Sequence, residues 1–507
     1  MKDFETKDKS ILKEGTPVVL QFITKLRLFD YGDEAYQAIL LANNKQFYMP
    51  LNKLKSHFRA EQMTKEQFWQ FTLSDKAKHF SQESEYKDIQ REQILEAKNY
   101  IAELEKANLF YNDAAIEDYL QCLLLGITPS THLFNREIAQ PTVRIIMSSN
   151  PDMMMLSNNT LLISTGMLTI LDSEEELIAL LSREVSHYLL DHALITVKKN
   201  IARARRAEFW GAVAEGVIAA TEETMYERHD YYNPILFFDA YQALDALVNR
   251  KIAQRMGMDY LEEQEEEADL CAVRYMKNED RNPNALYSAL HKIKTHYEND
   301  KSSIALEKFE PYGTLLKRIK KIEVPQSMPE DRKYLKTMMG VVSYEAIMYD
   351  YKKDYKNSFR LAMKNIHHSL GISDDYLIVA RSMMKQANTP ESNSECMLYL
   401  DKADMLSESE NVNITKMRIL LLLRDNKQTE AVEQLKKYQS LLDILFQQPH
   451  TEADAQWIAE EHSWAKNLLE RLSVHASMCT MNWAVVFMKK YIKKPWLLCW
   501  KNQVFHL

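Results

Sequence analysis

The sequence predicts an α+β protein that is predominantly α, with a small β domain near its start and stacked helix pairs near its end. Three observations lead there. The 507 residues include only 10 glycines and 13 prolines, too few chain punctuators for a many-turned β protein. Apolar residues recur at helical spacing through most of the chain. Short runs rich in β-branched and aromatic residues are confined to two places, before residue 58 and between residues 143 and 165. At a rule of roughly 150 residues per domain, the length calls for about three cores.

Residues 1–58 hold the runs TPVVLQFITKL and YQAILLANNKQFYMPL, punctuated by turn signals at Asp30–Asp33 and Asn43-Asn44. They read as a small β domain, an SH3-like barrel. Residues 59–126 turn charged and helical, as in EYKDIQREQILEAKNYIAELEKANLF. In residues 127–330, strands are expected at Val143–Ser149, Met153–Leu156 and Thr160–Thr165. A helix then opens at Ser173, with Glu176 three residues on completing a capping box, and ELIALLSREVSHYLLDHAL continues it without a break. Further helices are expected over 195–225 and 235–295. Residues 331–470 are helices separated by the polar loops TPESNSE, SESENV and RDNKQ. Similar amphipathic helices begin near Leu361, Cys396 and Ala431, 35 residues apart, close to the period of about 34 of tetratricopeptide-type pairs. Such arrays present a concave surface suited to a peptide or unfolded-protein partner.

Residues 471–507 lack Asp and Glu but carry Lys489, Lys490, Lys493, Lys494 and Lys501 among Trp483, Trp496 and Trp500. A basic aromatic tail of this kind can lie on an anionic membrane surface, although a docked or fraying terminus accounts for it more simply. The net charge of −8 argues against a nucleic-acid partner, which needs clustered positive surface. Five scattered cysteines without a CxxC pair support neither a disulfide framework nor a thiolate metal site. No run of 18 apolar residues occurs and MKDFETKDKS lacks a signal-peptide core, so no transmembrane segment and a cytoplasmic location are expected; a start lying upstream would make the protein secreted or periplasmic. Neither phosphate-binding glycine loop is present, and neither is a GxSxG elbow.

The chemistry concentrates in Arg183-Glu184-Val185-Ser186-His187. Positions four apart share a helix face, so Arg183 and His187 point one way with Glu184 beside them. In a His-Glu-x-x-His metallopeptidase two imidazoles at this spacing bind zinc and the glutamate activates water. Alone, a Glu-x-x-His is weak evidence, and the acidic run Glu265-Glu266-Glu267-Ala268-Asp269 would by itself be a solvated face.

In order along the chain stand Asp152-Met153-Met154-Met155-Leu156, TLLISTGML, REVSHYLLDH, EEEAD and Tyr312-Gly313-Thr314-Leu315-Leu316-Lys317-Arg318. From Val143 to Ile322 the chain resembles the HtpX and CaaX-prenyl-protease family of zinc endopeptidases, the gluzincins. The resemblance implies zinc as cofactor, His187 and Glu265 as ligands, Glu184 as general base and Asp269 as the carboxylate orienting the ligand shell. It implies that Met153, Met154, Met155 and Leu156 hold an extended substrate, and that Tyr312 and Arg318 lie near the developing oxyanion. Tyr312 and Gly313 stand where the family has His and Pro, and Arg183 stands where it has its first ligand.

That last departure decides the expectation. A guanidinium stays protonated and cannot ligate a cation. Arg183 is therefore expected to fill the metal position and pair with Glu265 and Glu184, leaving a degenerate site, weakly active or inactive. The alternative is a non-catalytic scaffold that binds peptides or proteins through the cleft and the helical repeats. A still-active peptidase would need to recruit another ligand such as His192 or His291; against it, five residues along an unbroken helix turn His192 about 140° from His187.

Overall fold

The structure, a computed structural model, describes residues 4–5, 11–13, 15–27, 34–58, 63–74, 84–130, 132–133, 136–204, 260–299, 328–447 and 452–475. These residues form two compact units, one ending at Asp331 and one beginning at Arg332. Most are helical, and the largest sheets have three strands.

The first unit opens with a two-stranded ribbon, β1 (Phe4–Glu5) and β2 (Ile11–Leu12), followed by an antiparallel meander of β3 (Val19–Arg27), β4 (Glu34–Ala42) and β5 (Lys45–Pro50). Asn43 and Asn44 join the last two strands with both φ angles positive, the conformation a two-residue hairpin turn requires and asparagine tolerates. On β5 Phe47 and Met49 are buried between exposed neighbours, while the central strand β4 is buried without a break from Gln37 to Leu40. The helices of the 59–126 region are α2 (Lys65–Thr72), α3 (Ser84–Lys106) and α4 (Ala114–Ile127), after a single turn α1 (Leu54–His57). Fully buried Trp69 ties α2 to the end of α4 by donating from its indole to the Ile127 carbonyl at 2.8 Å.

Past a short ribbon, β6 (His132–Leu133) and β7 (Arg136–Glu137), comes the sheet beneath the site: β8 (Thr142–Ile146), β9 (Met153–Met155) and β10 (Thr160–Ser164). Its order is β8-β10-β9, with β10 parallel to β8 and antiparallel to β9, so β9 is an edge strand. The strand expected to run through Leu156 and that expected through Thr165 both end one residue sooner. Thr165 instead begins α5 (Thr165–Ile170), capped by the Ser164 hydroxyl accepting from Met167 N at 3.0 Å. At Gly166 the chain passes so near the Ser149 and Asn150 carbonyls that a Cβ would overlap them.

α6 (Glu174–Leu189) carries the chemical motif. Ser173 caps it as expected, but Glu176 reaches back to Asp172 N at 2.8 Å, one residue beyond the capping-box partner. The cause is α9 (Asn284–Asn299), whose Ser288 and Lys292 both bond the fully buried Glu176 carboxylate. The expected unbroken helix also stops short: Leu190 closes α6, Asp191 takes a left-handed φ of 53°, and α7 (His192–Ala204) sets off anew. The acidic run lies on α8 (Glu262–Asn278). Within the expected 235–295 stretch the chain is not helical at 279–283, between α8 and α9, and residues 205–259 lie outside the described residues.

Among the described residues the second unit is seven consecutive helices: α10 (Arg332–Tyr351), α11 (Tyr355–His367), α12 (Ser373–Gln386), α13 (Pro390–Leu406), α14 (Val412–Arg424), α15 (Gln428–Gln447) and α16 (Glu452–His475). Each packs on the next through small continuous cores, such as Leu377, Cys396, Leu400, Ile414 and Leu421 across α12 to α14. Three of the connecting turns hold a non-glycine residue in the left-handed region, at Lys353, Ser369 and Asn426. In each the following N–H bonds back five residues, as Asp354 N does to Tyr349 O at 2.9 Å, which satisfies carbonyls the helix end would orphan. A buried network knots the first three helices together: Ser343 Oγ and Asn365 Nδ2 both donate to Asp375, at 2.9 and 3.2 Å. Most of the basic tail, from residue 476, lies outside the described residues. Among the described residues no helix is long and apolar enough to cross a membrane. No disulfide joins Cys122, Cys271 and Cys396.

Candidate functional site

Four elements meet at the site. α6 supplies Arg183, Glu184 and His187, α7 begins with His192, α8 brings Glu265, Glu267 and Asp269, and Tyr260 precedes α8. The apolar side chains of α6 sink into the core on most of its circumference, including Leu177, Leu181, Val185 and Leu189. That burial carries Glu184 and His187, 3% and 1% exposed, inward as well. On α8, Glu265 and Asp269 are four residues apart and so face α6 together.

Arg183 is the hub. Its Nη1 donates to Glu184 Oε1, its Nη2 to Glu265 Oε2, and its Nε to Asp269 Oδ1 at 3.2 Å. One fork-shaped cation thereby engages three carboxylates on two helices, geometry that the five-donor planar guanidinium fits and an ammonium would not. Burial works against the charged guanidinium, yet Glu265, Glu184 and Asp269 outweigh it and raise the arginine further above its ordinary value. The cation is locked on.

His187, one turn on from Arg183, lies within an aromatic cluster. Its Nδ1 lies 2.9 Å from Nδ1 of His192, so one ring donates and the other accepts. Tyr260 stacks on His187 with ring centres 4.0 Å apart and planes at 18°. Burial, then the charges of Glu184 and Glu265, hold the Tyr260 phenol far above its ordinary value, so it stays neutral. His192 Nε2 reaches Glu267 Oε2 at 3.4 Å, and Gln264 Nε2 donates to the His192 carbonyl at 3.0 Å. Thr196 Oγ1 and Leu261 N both donate to Gln264 Oε1, tying α7 to the start of α8.

The expectation that His192 faces away from His187 is overturned. The 140° argument assumes an unbroken helix, and the left-handed Asp191 breaks it, folding α7 back so that the second imidazole returns to the first. No glycine or proline marks the break at Asp191 in the sequence. Tyr260 had no signal either, since an aromatic residue before an acidic run marks nothing by itself. Of the remaining expected site residues, Glu184, His187, Glu265 and Asp269 are brought together with Arg183. Met153, Met154 and Met155 form edge strand β9, next to which α6 packs, while Leu156 is buried just past its end. Tyr312 and Arg318 lie outside the described residues.

No curated protein matches the chain. A family model described as Peptidase family M48 matches residues 122–332, the segment that runs from α4 through the sheet, α6 and α8 to the start of α10. Over that segment the chain is similar to Peptidase family M48.

Proposed function

We propose that this metallopeptidase-family domain is a disarmed one, which holds peptide chains without hydrolysing them. The observation that carries the reading is the three-way engagement of Arg183 with Glu184, Glu265 and Asp269. A catalytic zinc needs about three protein ligands and an open position for water. Here the first ligand position holds a group without a lone pair, and that group donates into the carboxylates otherwise available as ligand and base. The donor set does not fit the ion. A nearby fixed cation would also repel it, and Glu184, already bonded to Arg183, is poorly placed to take a proton from water.

What the residues can still do is bind. β9 has one side paired to β10, and an extended peptide could add to its other edge by backbone hydrogen bonds. The half-buried Met153 and Met154 would offer adaptable apolar contact there. The helical array extends the binding reading: α10, α12, α14 and α16 begin at 332, 373, 412 and 452, and α11, α13 and α15 at 355, 390 and 428, a repeat of helix pairs near or somewhat above the period of about 34 of tetratricopeptide units. Contact of the basic tail with anionic lipid remains part of the proposal only as an accessory.

The test is proteolysis of an unfolded substrate, casein labelled with a quenched fluorophore, with zinc added, by wild type and Arg183→His. The reading expects no turnover by wild type and a gain in the variant. Zinc-dependent, chelator-sensitive cleavage by the wild type would end it.

A further inference from the structure

Away from this site, the end of α12 concentrates positive charge without the carboxylates to match it. Arg381 and Lys385 are four residues apart and share a face. Arg381 is committed to buried Asp350 on α10, its Nη1 lying 2.7 Å from Oδ2. Lys385 has no carboxylate within ion-pair distance among the described residues; its Nζ sits 5.9 Å from the ring centre of Tyr355 on α11. Arg424, at the end of α14, turns its guanidinium onto the last carbonyls of α12, with Nη2 to Met384 O at 2.6 Å and Nη1 to Ala387 O at 3.1 Å. Those carbonyls supply the negative pole of the helix, which is the ordinary reason for cations to gather at such an end. Here the pole is not enough. Burial, then Arg381, Arg424 and Lys353, push the Lys385 ammonium down to about 8 against the single opposing charge of Asp350, and burial lowers Arg424 as well. A half-buried lysine in surplus positive potential is costly unless an anion joins it.

We propose that Lys385, with Arg381 and Arg424 beside it, forms a docking site for the carboxylate of an acidic peptide segment. One feature favours a carboxylate over a phosphate. The Tyr355 ring beside Lys385 offers an apolar wall for the methylene stem of a glutamate. The site belongs to the helical array and stands whether or not the metallopeptidase-family domain is catalytic.

The experiment uses the full chain and fluorescence anisotropy of a fluorescein-labelled peptide of four glutamates spaced by glycines. Binding is expected to weaken as salt rises and to vanish for the glutamine counterpart. Lys385→Met is expected to weaken it at least about tenfold, as loss of a charge-assisted contact does, and Lys385→Arg to preserve it. Lys385→Met should also raise the thermal midpoint of the array slightly, because it removes an uncompensated cation; a lysine with a merely structural role would lower it. No binding of the glutamate peptide, equal binding by Lys385→Met, or displacement of the peptide by phosphate at lower concentration than by acetate would each overturn the proposal.

Discussion

Arg183 decides what the site can be. Three carboxylates and one guanidinium share a pocket in which every member is at most 14% exposed in its side chain. Such a cluster does not by itself add much to stability, since desolvating the charges offsets their attraction. Removing the cation alone is another matter. Arg183→Met would leave Glu184, Glu265 and Asp269 facing one another without compensation, and a loss of about 3–5 kcal/mol is expected in denaturant unfolding. An unchanged midpoint would mean the carboxylates find other partners. At this scale the sequence was largely legible: the spacing of Arg183, Glu184 and His187 on a helix, and the chemistry of a guanidinium, were enough to place the cation on the carboxylates. What the spacing could not supply was His192. Its return to His187 depends on the backbone at Asp191, and a single left-handed residue leaves no trace in hydrophobic periodicity.

Among the elements, the support of α6 matters most. Its N-terminus is pinned by Glu176 to Ser288 and Lys292, and its C-terminus by the turn at Asp191. On the sheet side the close approach at Gly166 brings α5 down on the loop after β8, where Thr165 Oγ1 also donates to Ser148 O at 3.0 Å. Gly166→Ala should force backbone apart there and cost about 3 kcal/mol, toward the upper end of overpacking penalties. A variant with native stability would show that the loop can yield. β9 and β10 were legible to within a residue from their runs, as was the helix start at Ser173, while β8 ends at Ile146, three residues before the expected Ser149. Element ends fared worse for a physical reason. This chain is poor in glycine, and it ends helices on Asn108, Asp280, Lys353, Ser369 and Asn426, residues that elsewhere sit inside helices or loops without distinction.

For the molecule as a whole, two units with different chemistries are joined in one chain. The helical array buries carboxylates and lysines whose charges it disfavours. Burial and the neighbouring Asp375 charge push Asp374 up to about 7, and burial pushes Asp375 up to about 6 in spite of its hydrogen bonds. Burial pushes Lys416 down to about 8 although Glu461 lies 2.5 Å away. A carboxyl that holds its proton more tightly when folded makes stability fall as pH rises from about 4 to about 7. A lysine that releases its proton more easily when folded makes stability rise from about 8 to about 10. The array should therefore be least stable between pH 7 and 8. Thermal unfolding of the full chain at pH 5, 7.5 and 9.5 checks this, and Asp375→Asn should flatten the acid side of the profile; a profile peaking near neutrality would contradict it. The array's helices were visible in the sequence, but these buried pairs were not, since nothing in a helical pattern distinguishes Asp375 or Lys416 from the solvated charges around them.

The proposal that the segment similar to Peptidase family M48 holds Arg183 in place of a metal is tested most directly by counting zinc. Wild type and Arg183→His would be purified identically and their zinc per chain measured by elemental mass spectrometry. The account predicts little zinc in the wild type and close to one ion per chain in Arg183→His, where a third lone-pair donor joins His187 and Glu265. Near-stoichiometric zinc in the wild type, lost on His187→Ala, would contradict it.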